Sequence, residues 1–275
     1  MINIRAINWN DAWKEERAQR GFSLRDSAFW DKRAQSFAEN SLKTKYADTF
    51  LNIVNPEKEW NVFDMACGPG TLAVPLAGYV RSVTAVDFSG VMLEKVQERC
   101  IQAGISNIRT LKASWQDDWG KAGIGKHDVA IASRSLAVDN LKHAVMKLNN
   151  IAQKRVYIST IAGAGPHDRR IFEAIGRELR VGTDYYIYIY NLIYQMGIYA
   201  NVSFIVDDSR KTYGSRAEAL ESMRWILGDM THEEEEKLED YFDRHLLYNA
   251  GRWVMDYRRT IRWAVLWWDK TTNIK

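Results

Sequence analysis

From Trp60 the chain runs through Asn61-Val62-Phe63-Asp64-Met65 and then breaks at Ala66-Cys67-Gly68-Pro69-Gly70-Thr71. Apolar residues resume at helical spacing with Leu72, Val74 and Leu76. A short apolar run, a glycine turn and a new helical pattern form the opening of a parallel α/β unit, which holds nucleotide-like ligands. Gly68 and Gly70 carry no Cβ, so a ligand can lie against the backbone there. The following helix offers its unpaired N–H groups at the same place.

Strand and helix patterns alternate downstream, which is the sequence form of a parallel sheet. Strands are expected at 61–65, 82–87, 107–112, 128–133 and 155–161, with helices at 69–78, 90–103 and 140–152. An exit loop at 162–167 leads into a helix over 168–180. Tyrosine and isoleucine alternate from Tyr185 to Tyr190, yet the run continues to Met196 in helical fashion, and a helix is expected. Strand six follows at 201–206. Ser215 with Glu218 and Thr231 with Glu234 are capping boxes, opening helices over 215–228 and 231–247, and a final strand covers 257–268. Three helices, at 9–20, 27–40 and 41–54, precede any strand. They either cover one face of the sheet or close over the ligand. The whole reads as one domain, 1–275, with a helical cap (1–58), a ligand-binding core (59–161) and later helices and strands (162–275).

Composition narrows the setting. Net charge is +3 with acidic and basic residues mixed, and no basic cluster is visible, so a nucleic-acid partner is not expected. The two cysteines, Cys67 and Cys100, cannot build a disulfide framework or a metal cluster, and no metal is expected. The N-terminus lacks a signal-peptide core, and no apolar run approaches the roughly 20 residues of a membrane span. The expectation is a soluble, cytoplasmic protein with no membrane partner, as a monomer or a homodimer.

Two carboxylates give the loop its chemistry. Asp64 closes the first strand and Asp87 the second, beside the glycine loop, where its two oxygens can accept both hydroxyls of a ribose. Gly68-Pro69-Gly70-Thr71-Leu72-Ala73 also satisfies the G-x-G-x-x-A form of a dinucleotide fingerprint. Against an NAD reading, Asp64 would repel a pyrophosphate but suits a cationic, amino-acid-bearing ligand, and no catalytic pair is evident downstream.

FDMACGPG, AVDFSGVML, IRTLKASWQDDW and HDVAIASRSL, taken together, resemble motifs I to IV of the class I S-adenosylmethionine (SAM) dependent methyltransferases, over roughly residues 27–161. The resemblance implies a doubly wound, mostly parallel seven-stranded α/β sheet with an antiparallel last strand. An N-terminal helical cap and helical insertions between strands five and six and between six and seven complete the expected fold. It implies SAM as cofactor and S-adenosylhomocysteine as product. Asp64 and the loop Ala66, Cys67, Gly68, Gly70 and Thr71 would hold the methionine part. Asp87 would bind the ribose, with Phe88 and Ser89 beside the adenosine and Met92 near the adenine. The third motif often carries an acidic residue for the adenine amino group, and here that position is Ser114. Adenine recognition then falls to Ser114 or Asp117, with Trp115 against the ring. Ser133 and Arg134 would line the methyl-transfer side. FWDKRAQSFAE resembles the helix that precedes motif I in many small-molecule members, making Trp30 and Phe37 the candidates to close over SAM.

Methyl transfer from a sulfonium depends on positioning and exclusion of water, and needs a general base only when the nucleophile arrives protonated. Catalytic residues are therefore poorly marked in sequence. His167 is the one catalytic candidate and, with Tyr194 and Tyr199, a candidate for the substrate pocket. No Asn/Asp-Pro-Pro-aromatic sequence follows the fourth strand, and neither cysteine stands where a cytosine-methylating nucleophile would. The helical, aromatic insertions suit a lid over a small acceptor. A small-molecule methyltransferase is expected, beside three alternatives: a SAM-binding protein without catalysis, an NAD(P)-dependent oxidoreductase, and an RNA or protein methyltransferase.

Overall fold

The computed structural model describes residues 6–19, 26–41, 45–136, 138–165, 167–179 and 184–270. Parts of three expected helices (Arg20, residues 42–44 and Arg180) and Pro166 of the exit loop lie outside them. The chain divides into two compact units. The first holds Met1–Thr160, Thr183–Ile205 and Ala264–Lys275, and the second Ile161–Gly182 and Val206–Trp263.

The first unit opens with helices α1 (Trp9–Gln19), α2 (Ser27–Asp31), α3 (Ala34–Ser41) and α4 (Tyr46–Val54). The single helix expected over 27–40 is two. Arg33 N–H bonds back to Trp30 O at 3.0 Å, an i−3 turn that tightens the chain between α2 and α3. Tyr46, Phe50, Leu51 and Val54 form the buried stripe of α4, which stops at left-handed Asn55 ahead of Pro56. Then come β1 (Asn61–Met65), α5 (Ala73–Leu76), β2 (Ser82–Asp87), α6 (Gly90–Ala103), β3 (Ile108–Lys112), β4 (His127–Ser133), α7 (Leu141–Ile151) and β5 (Ala152–Ala162). The helix expected from Pro69 to Gly78 shrinks to α5, because Gly70 at φ +77 is left-handed and cannot belong to it.

Further along lie α8 (Arg169–Ala174), α9 (Tyr185–Gln195), β6 (Asn201–Ser209), β7 (Thr212–Tyr213), α10 (Arg216–Leu227) and α11 (His232–His245). The chain ends with β8 (Leu246–Asn249), β9 (Arg252–Met255) and β10 (Arg259–Asp269). The Tyr/Ile segment is helical, as expected. The α8 helix stops well short of residue 180, with left-handed Gly176 just beyond it. Thr231 and Glu234 make both bonds of a capping box. At Ser215 only half the box forms, since Glu218 takes the N–H of Gly214 instead.

The main sheet has the order β3-β2-β1-β4-β5-β10-β6 and is mostly parallel with the last strand antiparallel. Register aligns Met65 with Val86, Asp87 with Lys112 and Ser133 with Ser159. The carboxyl ends of β1, β2, β4 and β5 therefore share one edge, and the strand order reverses at β1, where such sheets bind ligands. β1 is an apolar run because both of its faces are covered: Val62 and Phe63 are fully buried.

The second unit has a core of its own, built from Ile171, Tyr213, Met223, Leu238, Phe242, Met255 and neighbours. It contains a small antiparallel sheet, β7-β9-β8, absent from the sequence-based expectation. Ala250 and Gly251, both at positive φ, turn β8 into β9 as a tight hairpin, which is why α11 stops at His245 rather than near Leu247. Among the described residues no helix is long and apolar enough to cross a membrane.

Candidate functional site

At the carboxyl edge of β1, β2 and β4 the first unit encloses a cavity of about 240 Å³. Its floor is the loop after β1. Ala66 takes φ +54 without being glycine, a conformation that costs of order 1–3 kcal/mol and clusters at ligand sites. Gly68, at φ +55, would present a Cβ toward Phe37 Cε1, 3.8 Å away. Gly70 is required for packing: a Cβ there would meet Val74 Cγ2 at 2.7 Å, and Gly70 itself does not line the cavity. Cys67 anchors the loop to the second strand through its N–H to Val86 O at 2.9 Å.

Asp64 and Asp87 both line the cavity and are only 2% and 4% exposed. Burial, and then the neighbouring Asp87, push the Asp64 carboxyl up to about 7, against an N–H bond from Ala73. Asp87 Oδ2 accepts Gly68 N–H at 2.9 Å and Oδ1 accepts Ser89 N–H at 2.9 Å. Burial raises the Asp87 carboxyl too, and these backbone donors oppose it. The N–H bonds fix the Asp87 carboxylate, and each oxygen has lone pairs left to accept more.

Ser89 does not line the cavity. It is fully buried, caps α6 by accepting Met92 N–H at 3.0 Å, and donates to Asp31 at the end of α2. Through that bond α6 holds α2, whose Trp30 and the Phe37 of α3 both line the cavity with ring centroids 6.1 Å apart. Phe88 and Met92 line it as well.

On the far wall are Ser114 and Trp115, whose indole donates to Ser135 O at 3.1 Å. Asp117 turns back to accept Ser114 N–H at 2.8 Å and is not in the lining; Gln116 is. Ser133 and Arg134 complete that side. Arg134 is left-handed at φ +56, held by its N–H to Ser159 O at 2.9 Å, and its guanidinium lies 4.0 Å from the ring centroid of Tyr46. The buried Tyr46 hydroxyl bonds Ser133 Oγ at 2.8 Å and Ser159 Oγ at 2.5 Å. Burial raises the Tyr46 hydroxyl and lowers the Arg134 guanidinium.

The fold thus gathers Trp30, Phe37, Asp64, Ala66, Cys67, Gly68, Thr71, Asp87, Phe88, Met92, Ser114, Trp115, Ser133 and Arg134 around one space. The tyrosine and histidine candidates are elsewhere. His167 belongs to the second unit, with Nδ1 3.1 Å from Ala164 O and its ring against Phe172. Tyr194 and Tyr199 pack against each other, 40% and 72% exposed, and neither lines the cavity. Sequence reasoning missed Gln116 and Ser135, which stand beside residues it chose, and it missed Tyr46, which carries no motif. The absence of a basic cluster does not survive folding: the second unit assembles five arginines from two distant segments.

The lining suits SAM. Thr71 Oγ1 is buried without a hydrogen-bond partner among the described residues, at a cost that a ligand donor or acceptor would remove. Two adjacent buried carboxylates repel a pyrophosphate and fit a ligand with a cationic centre and vicinal hydroxyls.

Comparison with known proteins agrees. A family profile described as a methyltransferase domain matches residues 62–154. An uncharacterized protein of Haemophilus influenzae is 35% identical over 243 residues, covering 87% of this chain and 88% of that one. Among solved structures, a Bacillus halodurans protein provisionally named a methyltransferase is 12% identical at a TM-score of 0.55, covering 82% of this chain and 99% of that one. The YcgJ protein of Bacillus subtilis is 13% identical at a TM-score of 0.51, covering 82% and 97%. These two likenesses concern the fold. The chain shares its family with the Haemophilus protein, and with its methyltransferase domain and this fold it is a class I SAM-dependent methyltransferase.

Proposed function

We propose that this methyltransferase modifies a small-molecule acceptor, and that the residues around the cavity divide the work as follows. Asp87 accepts the ribose hydroxyls with a carboxylate already oriented by Gly68 and Ser89 N–H. Asp64 faces the methionine ammonium, and Thr71 Oγ1 gains a partner from the same end of the ligand. Met92, Phe88 and Trp115 provide apolar surface for the adenine, with Ser114 and Gln116 in reach of its polar edge. Bound SAM supplies a methyl group already activated by its sulfonium. The protein's share is to orient that group and keep water away. Trp30 and Phe37 exclude water from the cap side, and Ser133 and Arg134 face the acceptor.

The observation that carries the small-molecule reading is the cavity itself. Its wall includes the cap aromatics Trp30 and Phe37, which cover SAM and leave room beside it for a small acceptor. An acceptor with a free lone pair needs no proton removed, in keeping with a lining that offers hydroxyls but no histidine. The test is incubation of a metabolite and macromolecule extract with the protein and methyl-tritiated SAM. Label in the small-molecule fraction supports the reading, whereas label confined to precipitated RNA or protein overturns it.

A further inference from the structure

The second unit contains a cleft that the methyl-transfer reading does not use. It measures about 370 Å³ and is walled by Arg169 and Arg170 from the start of α8 and by Arg258, Arg259 and Arg262 from the start of β10. Three of these guanidinium groups are fixed. Arg170 binds Asp168 bidentately at 2.9 and 3.1 Å and stacks 3.5 Å from the Tyr257 ring centroid, while the Tyr257 hydroxyl donates to the same carboxylate. Arg259 donates to Gly165 O at 2.7 Å, and its burial lowers the guanidinium against the pull of Asp168. Arg258 pairs with Asp208 at 3.0 Å. Arg169 and Arg262, exposed like Arg170 and Arg258, have no ion-pair partner among the described residues.

Five guanidinium groups line the cleft with one carboxylate, Asp168, while Asp208, which pairs with Arg258, does not line it. This excess of positive charge favours an anion. The fixed three make the walls, and the remaining two supply free planar forks of the kind that grip a phosphoryl group through paired N–H donors. Thr260 lines the same cleft. We infer that this cleft binds a phosphoryl group, as inorganic phosphate or as the end of a small phosphomonoester. The cleft shares no lining residue with the SAM cavity, and phosphoryl binding there does not depend on which acceptor is methylated.

Isothermal titration of the full-length protein with inorganic phosphate, and separately with glycerol phosphate, at constant ionic strength, tests this. Saturable binding with a millimolar or tighter dissociation constant is expected. It should weaken at least tenfold in Arg169→Ala/Arg262→Ala, with SAM affinity unchanged as proof of folding. Arg169→Lys/Arg262→Lys, which keeps the charge and loses the forks, should fall between the two. Tighter binding of the ester than of phosphate identifies the esterified source, and the reverse identifies the free anion. No saturation by either probe, equal binding by the double alanine variant, or binding only of an RNA oligomer would each overturn the inference.

Discussion

At the residue scale the site is governed by two carboxylates that pay for burial with raised proton affinity. Asp64, lifted to about 7, binds a proton in the folded protein that the unfolded chain, with its ordinary value of 3.8, has already released. Its contribution to stability is therefore complete below pH 3.8 and is lost as pH rises toward 7. Ligand binding has the opposite sign, because a cationic ligand prefers the ionised carboxylate. SAM affinity should rise about tenfold between pH 6 and pH 8 from this group, and calorimetry on Asp64→Asn should show that increment gone; the same increment in the variant would remove Asp64 from the site. These carboxylates were legible in sequence because each terminates a strand next to glycine. Tyr46, Gln116 and Ser135 were not: Tyr46 acts from a helix through Ser133 and Arg134 without lining the cavity, and Gln116 and Ser135 reach it from loops that leave no local pattern.

At the element scale, α6 does more than cover the sheet. Its N-cap, Ser89, ties the ribose-side turn to α2 through Asp31. Ser89→Ala removes a cap typically worth about 1 kcal/mol, along with the Asp31 contact, so urea denaturation should show a loss of roughly 1–2 kcal/mol. SAM binding should weaken as well, because Trp30 loses its tether; a stability loss with unchanged SAM affinity would separate α2 from the site. Trp30→Ala should weaken SAM severalfold with little change in melting temperature, since that ring is only half-buried. The longer elements followed from periodicity. The break between α2 and α3, the shortness of α5 and the hairpin of β8 and β9 did not, because the first is a single i−3 turn at Arg33 and the other two are set by one or two residues at positive φ.

At the scale of the whole molecule, the sequence read as one domain while the chain clusters into two units, each continuous in space and broken in sequence. Insertions read as substrate-side helices carry their own core, centred on fully buried Phe242. Phe242→Ala should cost about 3–5 kcal/mol, and hydrogen exchange should place the loss in residues 206–263 while SAM still binds. Loss of SAM binding with that variant would mean the first unit cannot hold its site alone. The alternation of strands and helices made the first unit readable from Trp60 onward, and the arginine cleft of the second was hidden because its two halves meet only after folding. The central claim is that the loop after β1 and Asp87 form the SAM site. Calorimetric titration of SAM into the wild-type protein and Asp87→Ala tests it most directly. Saturable binding weakened at least tenfold by the substitution is predicted, since a buried charged hydrogen-bond partner is lost; equal affinity in the two proteins, or no binding by either, would contradict it.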